Sequence, residues 1–454
     1  MDNKNVFVAI ALSMAVLLFW GAFFETPRQI EENQTLGNVQ ANQNKVQSDI
    51  TPNINQEQIV KKISRKDALT EVDRVIIENE KVIGSISLKG ATFDDLSFKN
   101  YKKDLKSEEN VVLLNPKEID DGYYIESGWA SVGNEVEVPG QDSLWQVKGN
   151  RVLNEKNDVV LEWNNGKGLI FKKIIKLDEK YLFKIKQEVK NNTSSKINLY
   201  PYSQITRNKK PDDVMGFYIL HEGFIGVFDG ELKEDDYDDI KDKKIVRNSD
   251  NGWLGITDKY WVTAIVPPKD KNFKSTFLYK DNYRANYILN SPVTINPKST
   301  SSNEVRLFVA AKEVETVDGY AESENIEKFD LTIDWGWFYF FTKPLFFVID
   351  YLFKFSGNFG IAIVLITLAI RIIFFPLANY SFRSMAKMKA VQPEMTRLKE
   401  LHKDDKVKLQ QEMMALYRKE KINPASGCLP ILIQIPFFFA IYKMLFISLE
   451  MRHQ

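Results

Sequence analysis

Residues Phe359 to Asn379 constrain this chain most. They run for 21 residues with one charge, Arg371. As a helix rising about 1.5 Å per residue, such a run spans a hydrocarbon layer of roughly 30 Å. A second run of 21 residues, Leu429 to Leu449, carries only Gln434, Lys443, Pro430 and Pro436 as interruptions. A third, Val6 to Phe24, has 19 residues and no charge. Its exit is bulky (Trp20, Phe23, Phe24), where a cleaved signal peptide wants small residues, so it reads as an uncleaved anchor. Phe338 to Phe355 is aromatic but interrupted by Lys343, Asp350 and Lys354. It reads as an interfacial amphipathic helix, with a buried core helix as the rival reading.

Charge is segregated along the chain. The 454 residues hold 61 Lys+Arg and 61 Asp+Glu, which argues against a bulk nucleic-acid binder of the usual basic kind. Yet residues 381–423, between the last two apolar runs, hold 11 basic and six acidic side chains, a net of +5. Residues 25–340 carry a net of −8. Basic short loops stay cytoplasmic, so 381–423 and the amino terminus are expected inside and the acidic 25–340 region outside. A single Cys excludes a disulfide framework and a multi-Cys metal site, and His221, His402 and His453 share no ligand spacing. No metal and no cofactor are expected.

The outer region divides in two. Residues 28–60 contain 13 Asn+Gln and almost no aromatics, the composition of a flexible tether. From about Val75 the pattern changes to period two. Tyr181, Phe183, Ile185 and Val189 alternate with Lys184, Lys186, Glu188 and Lys190, as in half-buried antiparallel strands. The segment VIIENEKVIGSISL reads as a hairpin, and strands are expected near 109–114, 157–163, 168–176, 260–266, 275–279 and 304–310. Asn164-Asn165-Gly166 and Asn191-Asn192-Thr193-Ser194 read as turns. An all-β sandwich of about 250 residues follows. Sugar-processing sandwiches need acid and base groups, and His221, beside Glu222 and Gly223, is the only His in this region, so no catalytic residues are assigned.

Residues 383–420 read as an antiparallel helical pair. Met385, Met388, Val391, Met395, Leu398 and Leu401 recur at spacings of three and four, and Val407, Leu409, Met413, Met414 and Leu416 do so more loosely. The pair is either a solvated connector or a docking surface for ribosomal RNA or a translocation component. Its candidate docking residues are Arg383, Lys387, Lys389 and Arg397.

Arg371 is the residue that demands an explanation. A mid-span Arg costs at least about 2.5–3.5 kcal/mol on insertion scales. No Asp or Glu lies in the other spans, so a hydrated cavity is expected around it rather than an internal ion pair. A short span with Arg371 reaching the cytoplasmic surface is the alternative. Thr367 precedes it by four residues, and Gln434 and Phe438 are likewise four apart. Two such faces would line a groove.

Several stretches resemble a known family. They are NEKVIGSISLKGATFDDL, ESGW at 126–129, GWLGITDKYWVTAIVPP at 252–268, DWGWFYFFTKPLF at 334–346, GIAIVLITLAIRIIFFPLANYSFRSMAKMKAVQPEM and NPASGCLPILIQIPFFFAIYKML. In order and spacing they are similar to the YidC-type membrane protein insertases of Gram-negative bacteria. The resemblance implies an anchor, a periplasmic β-supersandwich, an interfacial helix and a helical insertase core with a groove open to cytoplasm and lipid. It places Arg371, Thr367, Gln434, Ile435 and Phe438 in that groove. It implies nascent membrane-protein substrates, the Sec translocon, the ribosome and signal recognition pathway and the lipid bilayer as partners, and no nucleotide or covalent intermediate. The location implied is the bacterial inner membrane, multi-pass. The family pattern continues past the last apolar run, so a chain stopping at Gln454 reads as truncated there.

The expected fold is therefore a membrane α-helical core plus an all-β periplasmic supersandwich. The anchor covers 1–24, a linker 25–70, the sandwich 71–325 and the interfacial helix 334–356. The second span covers 357–380, the cytoplasmic hairpin 381–423, the third span 424–449, and 450–454 begins an outer segment. The competing function is an anchored periplasmic binding module or assembly factor with the sandwich as its working part. A membrane-bound carbohydrate enzyme is disfavoured by the missing acid/base set.

Overall fold

A computed structural model describes residues 63–131, 136–216, 219–403, 405–420 and 429–453. The expected anchor and most of the expected linker lie outside the described residues.

The described residues between 74 and 311 fold into two facing sheets, as the alternation predicts. One sheet has 11 strands, with Thr92–Lys102, Tyr123–Ser131, Ile197–Arg207 and Asn282–Leu289 near its centre. The other has nine, with Leu169–Leu177, Leu182–Asn191 and Thr300–Ala311 adjacent. The predicted first hairpin is Arg74–Glu78 against Val82–Ser87. Gly166 turns the hairpin between Val159–Asn164 and Leu169–Leu177 with φ of +69°, and its N–H donates to Asn164 Oδ1 at 2.9 Å. Phe183, Ile185 and Val189 are fully buried, while Lys186 and Lys190 stay outside. Phe93 of one sheet meets Phe183 of the other edge-on, 5.4 Å between ring centres, which marks the middle of the sandwich core.

Short helices flank the sheets: α1 is Arg65–Thr70 and α2 is Tyr237–Asp242. After the last strand, α3 (Val314–Ser323) lays Tyr320 on Phe308, and Phe329 of the following turn contacts both Phe308 and Trp253. These aromatic contacts fix where the chain leaves the sandwich.

The helical part begins with α4 (Tyr339–Ser356), which ends at Gly357 in the left-handed conformation. Its charged residues point back at the sandwich. Lys343 pairs with Asp318 of α3 at 3.0 Å and with Asp330 at 2.9 Å; Lys354 pairs with Glu315 at 2.7 Å. Phe340, Phe347, Tyr351 and Phe355 recur along the side away from the buried Thr342, Phe346 and Ile349 and are exposed. The charges that interrupt the aromatic run thus dock the helix, leaving an apolar stripe outward.

Asn358 caps α5 (Phe359–Ala390), accepting the N–H of Ile361 at 3.1 Å. At 32 residues, α5 is about 48 Å long. It continues 11 residues past Asn379, through Arg383, Lys387 and Lys389. Two further helices, α6 (Gln392–Leu401) and α7 (Lys406–Lys419), follow as a hairpin, with Asp405 capping α7. Last comes α8 (Leu429–Ile447). Among the described residues α5 is the one helix long and apolar enough to cross a bilayer by itself; α8 is apolar and shorter.

Candidate functional site

The direction of the long helices sets the site. Lys354, just before α5, reaches Glu315 at the start of α3. Glu450, just after α8, accepts the N–H of Val314 at the same place, at 2.9 Å. The beginning of α5 and the end of α8 therefore meet at one end, so the two helices run antiparallel. Their ring contact is Phe374 on Phe437, 5.1 Å between centres, and Phe437 also packs on Phe341 of α4 at 4.7 Å.

This contact locates each expected groove residue. Arg371 and Gln434 each precede one of the paired rings by three residues. In antiparallel helices those displacements point opposite ways, so the two lie about 9 Å apart in height. Arg371 is nearly level with Phe438, within about 3 Å by the same arithmetic. Thr367 falls about 20° and Arg371 about 60° around α5 from Phe374. Arg371 and Thr367 are exposed in this structure, Phe438 and Ile435 are half-exposed, and Gln434 is partly buried. Arg371 has no ion-pair or hydrogen-bond partner among the described residues. The Thr367 hydroxyl donates to the Ile363 carbonyl at 2.7 Å, on its own helix.

Proline adds polar backbone beside these side chains. Pro376 lies inside α5 and Pro436 inside α8. Each removes the N–H that would have reached four residues back, freeing the carbonyls of Ile372 and Leu432. Free carbonyls are costly against lipid and are tolerated where they face protein or water. Arg371 thus stands next to a backbone acceptor, and Gln434 lies two residues past another.

The hairpin keeps an apolar seam. Met395, Leu398, Leu409, Met413, Leu416 and Tyr417 are partly buried, and the Tyr417 hydroxyl lies 3.9 Å from Met395 Sδ. Met385, Leu401, Val407 and Met414 of the expected seam are exposed instead. Arg383, Lys387 and Lys389 project from the last turns of α5, where cations suit the negative end of the helix dipole. Arg397 is exposed and pairs with Glu394 at 3.2 Å.

The junction with the sandwich holds residues that the sequence pattern does not reveal. Lys443 of α8 is buried; its ammonium lies 2.7 Å from Asp334 and also donates to the Ile219 carbonyl. Asp334 further accepts the N–H groups of His221 and Gly336, at 2.8 and 3.0 Å. Gly336 has φ of +73°, and a Cβ there would press on the Lys443 chain. Arg452 donates to the carbonyls of Lys102 and Lys103, both at 2.7 Å, and lies over the rings of Tyr260 and Trp261. Burial pushes the Glu450 carboxyl up to about 7. One signal was available: an ionisable residue in an apolar run implies a partner. For Lys443 that partner lies in the segment before α4, not in another apolar run.

A β-sandwich bolted by buried polar contacts to antiparallel apolar helices, one carrying an arginine unpaired among the described residues, defines a membrane-integrated protein with a large extramembrane domain. Residues 74–348 match the family described as YidC periplasmic domain, and residues 351–454 match 60Kd inner membrane protein. The chain is 52% identical over 455 residues to the membrane protein insertase YidC of Pelagibacter ubique, covering 100% of this chain and 80% of that one. It is 42% identical to the namesake of Methylorubrum extorquens, covering 100% and 78%. A solved structure of an active YidC insertase aligns with a TM-score of 0.28 and 16% identity over 84% of this chain and 73% of that chain. A galactose mutarotase related enzyme from Lactobacillus acidophilus aligns with a TM-score of 0.37 and 10% identity over 53% of this chain and 98% of that one. The chain belongs to the YidC family of inner-membrane protein insertases.

Proposed function

We propose that this protein inserts newly made proteins into the inner membrane and assists their folding, working alone or with the Sec translocon. Arg371, Thr367, Gln434, Ile435 and Phe438 form its substrate groove. The amino terminus and the α6–α7 hairpin lie in the cytoplasm and the sandwich in the periplasm. Arg383, Lys387, Lys389 and Arg397 receive the ribosome or a targeting component. The exposed aromatic stripe of α4 supports its place at the membrane surface.

The observation that carries this reading is Arg371, unpaired among the described residues and beside a proline-freed carbonyl. A hydrophilic substrate tail must cross lipid, and a wet, positively charged recess reaching partway shortens the dry path. Arg371 attracts an acidic tail, more strongly as the local dielectric falls. The substrate's apolar segment then leaves for lipid, favoured by about 25 cal/mol per Å² of apolar surface buried. Charge at position 371, rather than guanidinium shape, does the work. The test reconstitutes the protein in proteoliposomes and measures insertion of a single-span substrate with an acidic tail. Arg371→Lys retains insertion, Arg371→Ala loses it, and neutralising the tail reduces the difference. Failure of Lys with survival of Ala would sink the idea.

A further inference from the structure

A cavity of about 520 Å³ opens where the sandwich meets the start of α4 and the outer end of α8. One wall is apolar and belongs to the membrane side: Trp337, 55% exposed, and Phe439 of α8, 37% exposed. The other wall belongs to the sandwich and is acidic. Five carboxylates line the cavity against two ammonium groups.

Most of these charges are already committed. Asp334 holds Lys443. Glu222 accepts the N–H groups of Met215 and Lys259, both at 3.0 Å. Asp238 pairs with Lys210 at 3.2 Å. Asp236 lies 3.4 Å from His221 Nδ1. Glu234 remains: among the described residues it takes no hydrogen bond and no ion pair. The field at this wall favours positive charge. Burial pulls the His221 pKa down, yet Asp236, Glu234 and the Phe224 carbonyl outweigh it and hold the pKa above its ordinary value. Besides Lys443, the ammonium lining the cavity is that of Lys210, which shares its charge with Asp238.

We infer that this cavity receives the headgroup of a phospholipid bearing a primary ammonium, such as phosphatidylethanolamine, with the ammonium on Glu234 and the phosphate toward Lys210. The apolar wall argues for lipid. Phe439 continues to exposed Ile435, four residues earlier on α8 and away from the sandwich, a track for an acyl chain leading out of the cavity. A zwitterion also leaves the balance of the wall nearly unchanged outside the cavity. Only the leaflet named, the outer one, depends on the topology proposed above.

The test purifies the whole protein from nanodiscs of equimolar phosphatidylethanolamine, phosphatidylcholine and phosphatidylglycerol and counts retained lipid by native mass spectrometry. One phosphatidylethanolamine is expected per protein, preferred about tenfold over either competitor. Phosphatidylcholine carries its positive charge without an N–H donor, so it separates hydrogen bonding from charge. Glu234→Gln is expected to abolish the preference without lowering the melting temperature, since Glu234 holds nothing in the fold. Trp337→Ala, which leaves every charge in place, is expected to reduce retention. Equal retention of phosphatidylglycerol, or a preference that survives Glu234→Gln, overturns the assignment. So does a soluble oligolysine peptide that binds with the same Glu234 dependence while no lipid preference exists; the cavity would then take the basic end of a translocated chain.

Discussion

The ammonium of Lys443 and the carboxylate of Asp334 lie 2.7 Å apart, 109 residues apart in sequence, with the Lys443 side chain only 2% exposed. One partner sits in an apolar helix and the other on the stalk leaving the sandwich, so the pair sets the height of α8 against the sandwich. Breaking a buried pair from one side leaves an uncompensated charge and costs about 3–5 kcal/mol. Asp334→Ala is expected to cost more than Lys443→Met, because Asp334 also satisfies the N–H groups of His221 and Gly336. The double variant should cost less than the two single losses added. Thermal unfolding in one detergent or nanodisc measures all three. Strict additivity would show that the pair is not coupled.

Glu450 gives the junction a pH dependence. Burial raises its carboxyl to about 7 from an ordinary 4.5, while Oε1 accepts the Val314 N–H and Oε2 is buried without a partner among the described residues. A raised folded-state pKa means the protonated form favours docking. That contribution is complete below about pH 4.5 and is lost as pH rises through about 7. Amide exchange at Val314 and Glu315, corrected for the intrinsic rate, should therefore accelerate between pH 5 and 8 beyond that of the sandwich core. Glu450→Gln should flatten this difference. An unchanged slope in the Gln variant assigns the effect to another group.

The hairpin charges separate docking from stability. Arg397 pairs with Glu394 on the surface, where such a pair contributes roughly 0–1 kcal/mol. Reversing Arg397, Lys387 and Lys389 to Glu should leave the melting temperature within a few degrees. Ribosome binding should fall at least tenfold and lose its salt dependence. Co-sedimentation across a salt series reads both. Unaltered binding would make the hairpin a connector, the other reading its sequence allowed.

The sandwich was legible because period two is a local signal. Phe183, Ile185 and Val189 announce a buried face within seven residues, although Gln187 shares that face and is fully buried. The apolar helix at Phe359–Asn379 was legible by length and composition. Its end was not. Hydropathy drops at Tyr380, but nothing there stops a helix, and α5 continues until Ala390, shortly before Pro393. Lys443 with Asp334 and Glu450 with Val314 were invisible for a different reason. Each joins residues more than 100 positions apart, and a lone charge has no period that points to its partner. The proposed groove residues rest on a resemblance and on spacing along single helices. Their relative heights needed the Phe374–Phe437 contact.

That contact makes a last prediction about the groove. Antiparallel helices with Phe374 opposite Phe437 put Arg371 level with Phe438 and about 9 Å above Gln434. With Cys428→Ser as background, a cysteine pair at positions 371 and 438 should be bridged by a linker much shorter than the pair at 371 and 434 requires. A pair at 377 and 434, displaced three residues the other way on α5, should also accept a short linker. Bridging is scored by gel mobility after protease cleavage between the helices, in the sequence absent from α5 and α8. If 371 and 434 close with a direct disulfide while 371 and 438 do not, the register is wrong by about six residues. Arg371 and Gln434 would then act at one depth, as a single polar centre. The register found here instead makes the proposed groove elongated: Gln434 lies nearer the hairpin end, and Arg371 about 9 Å further toward the sandwich.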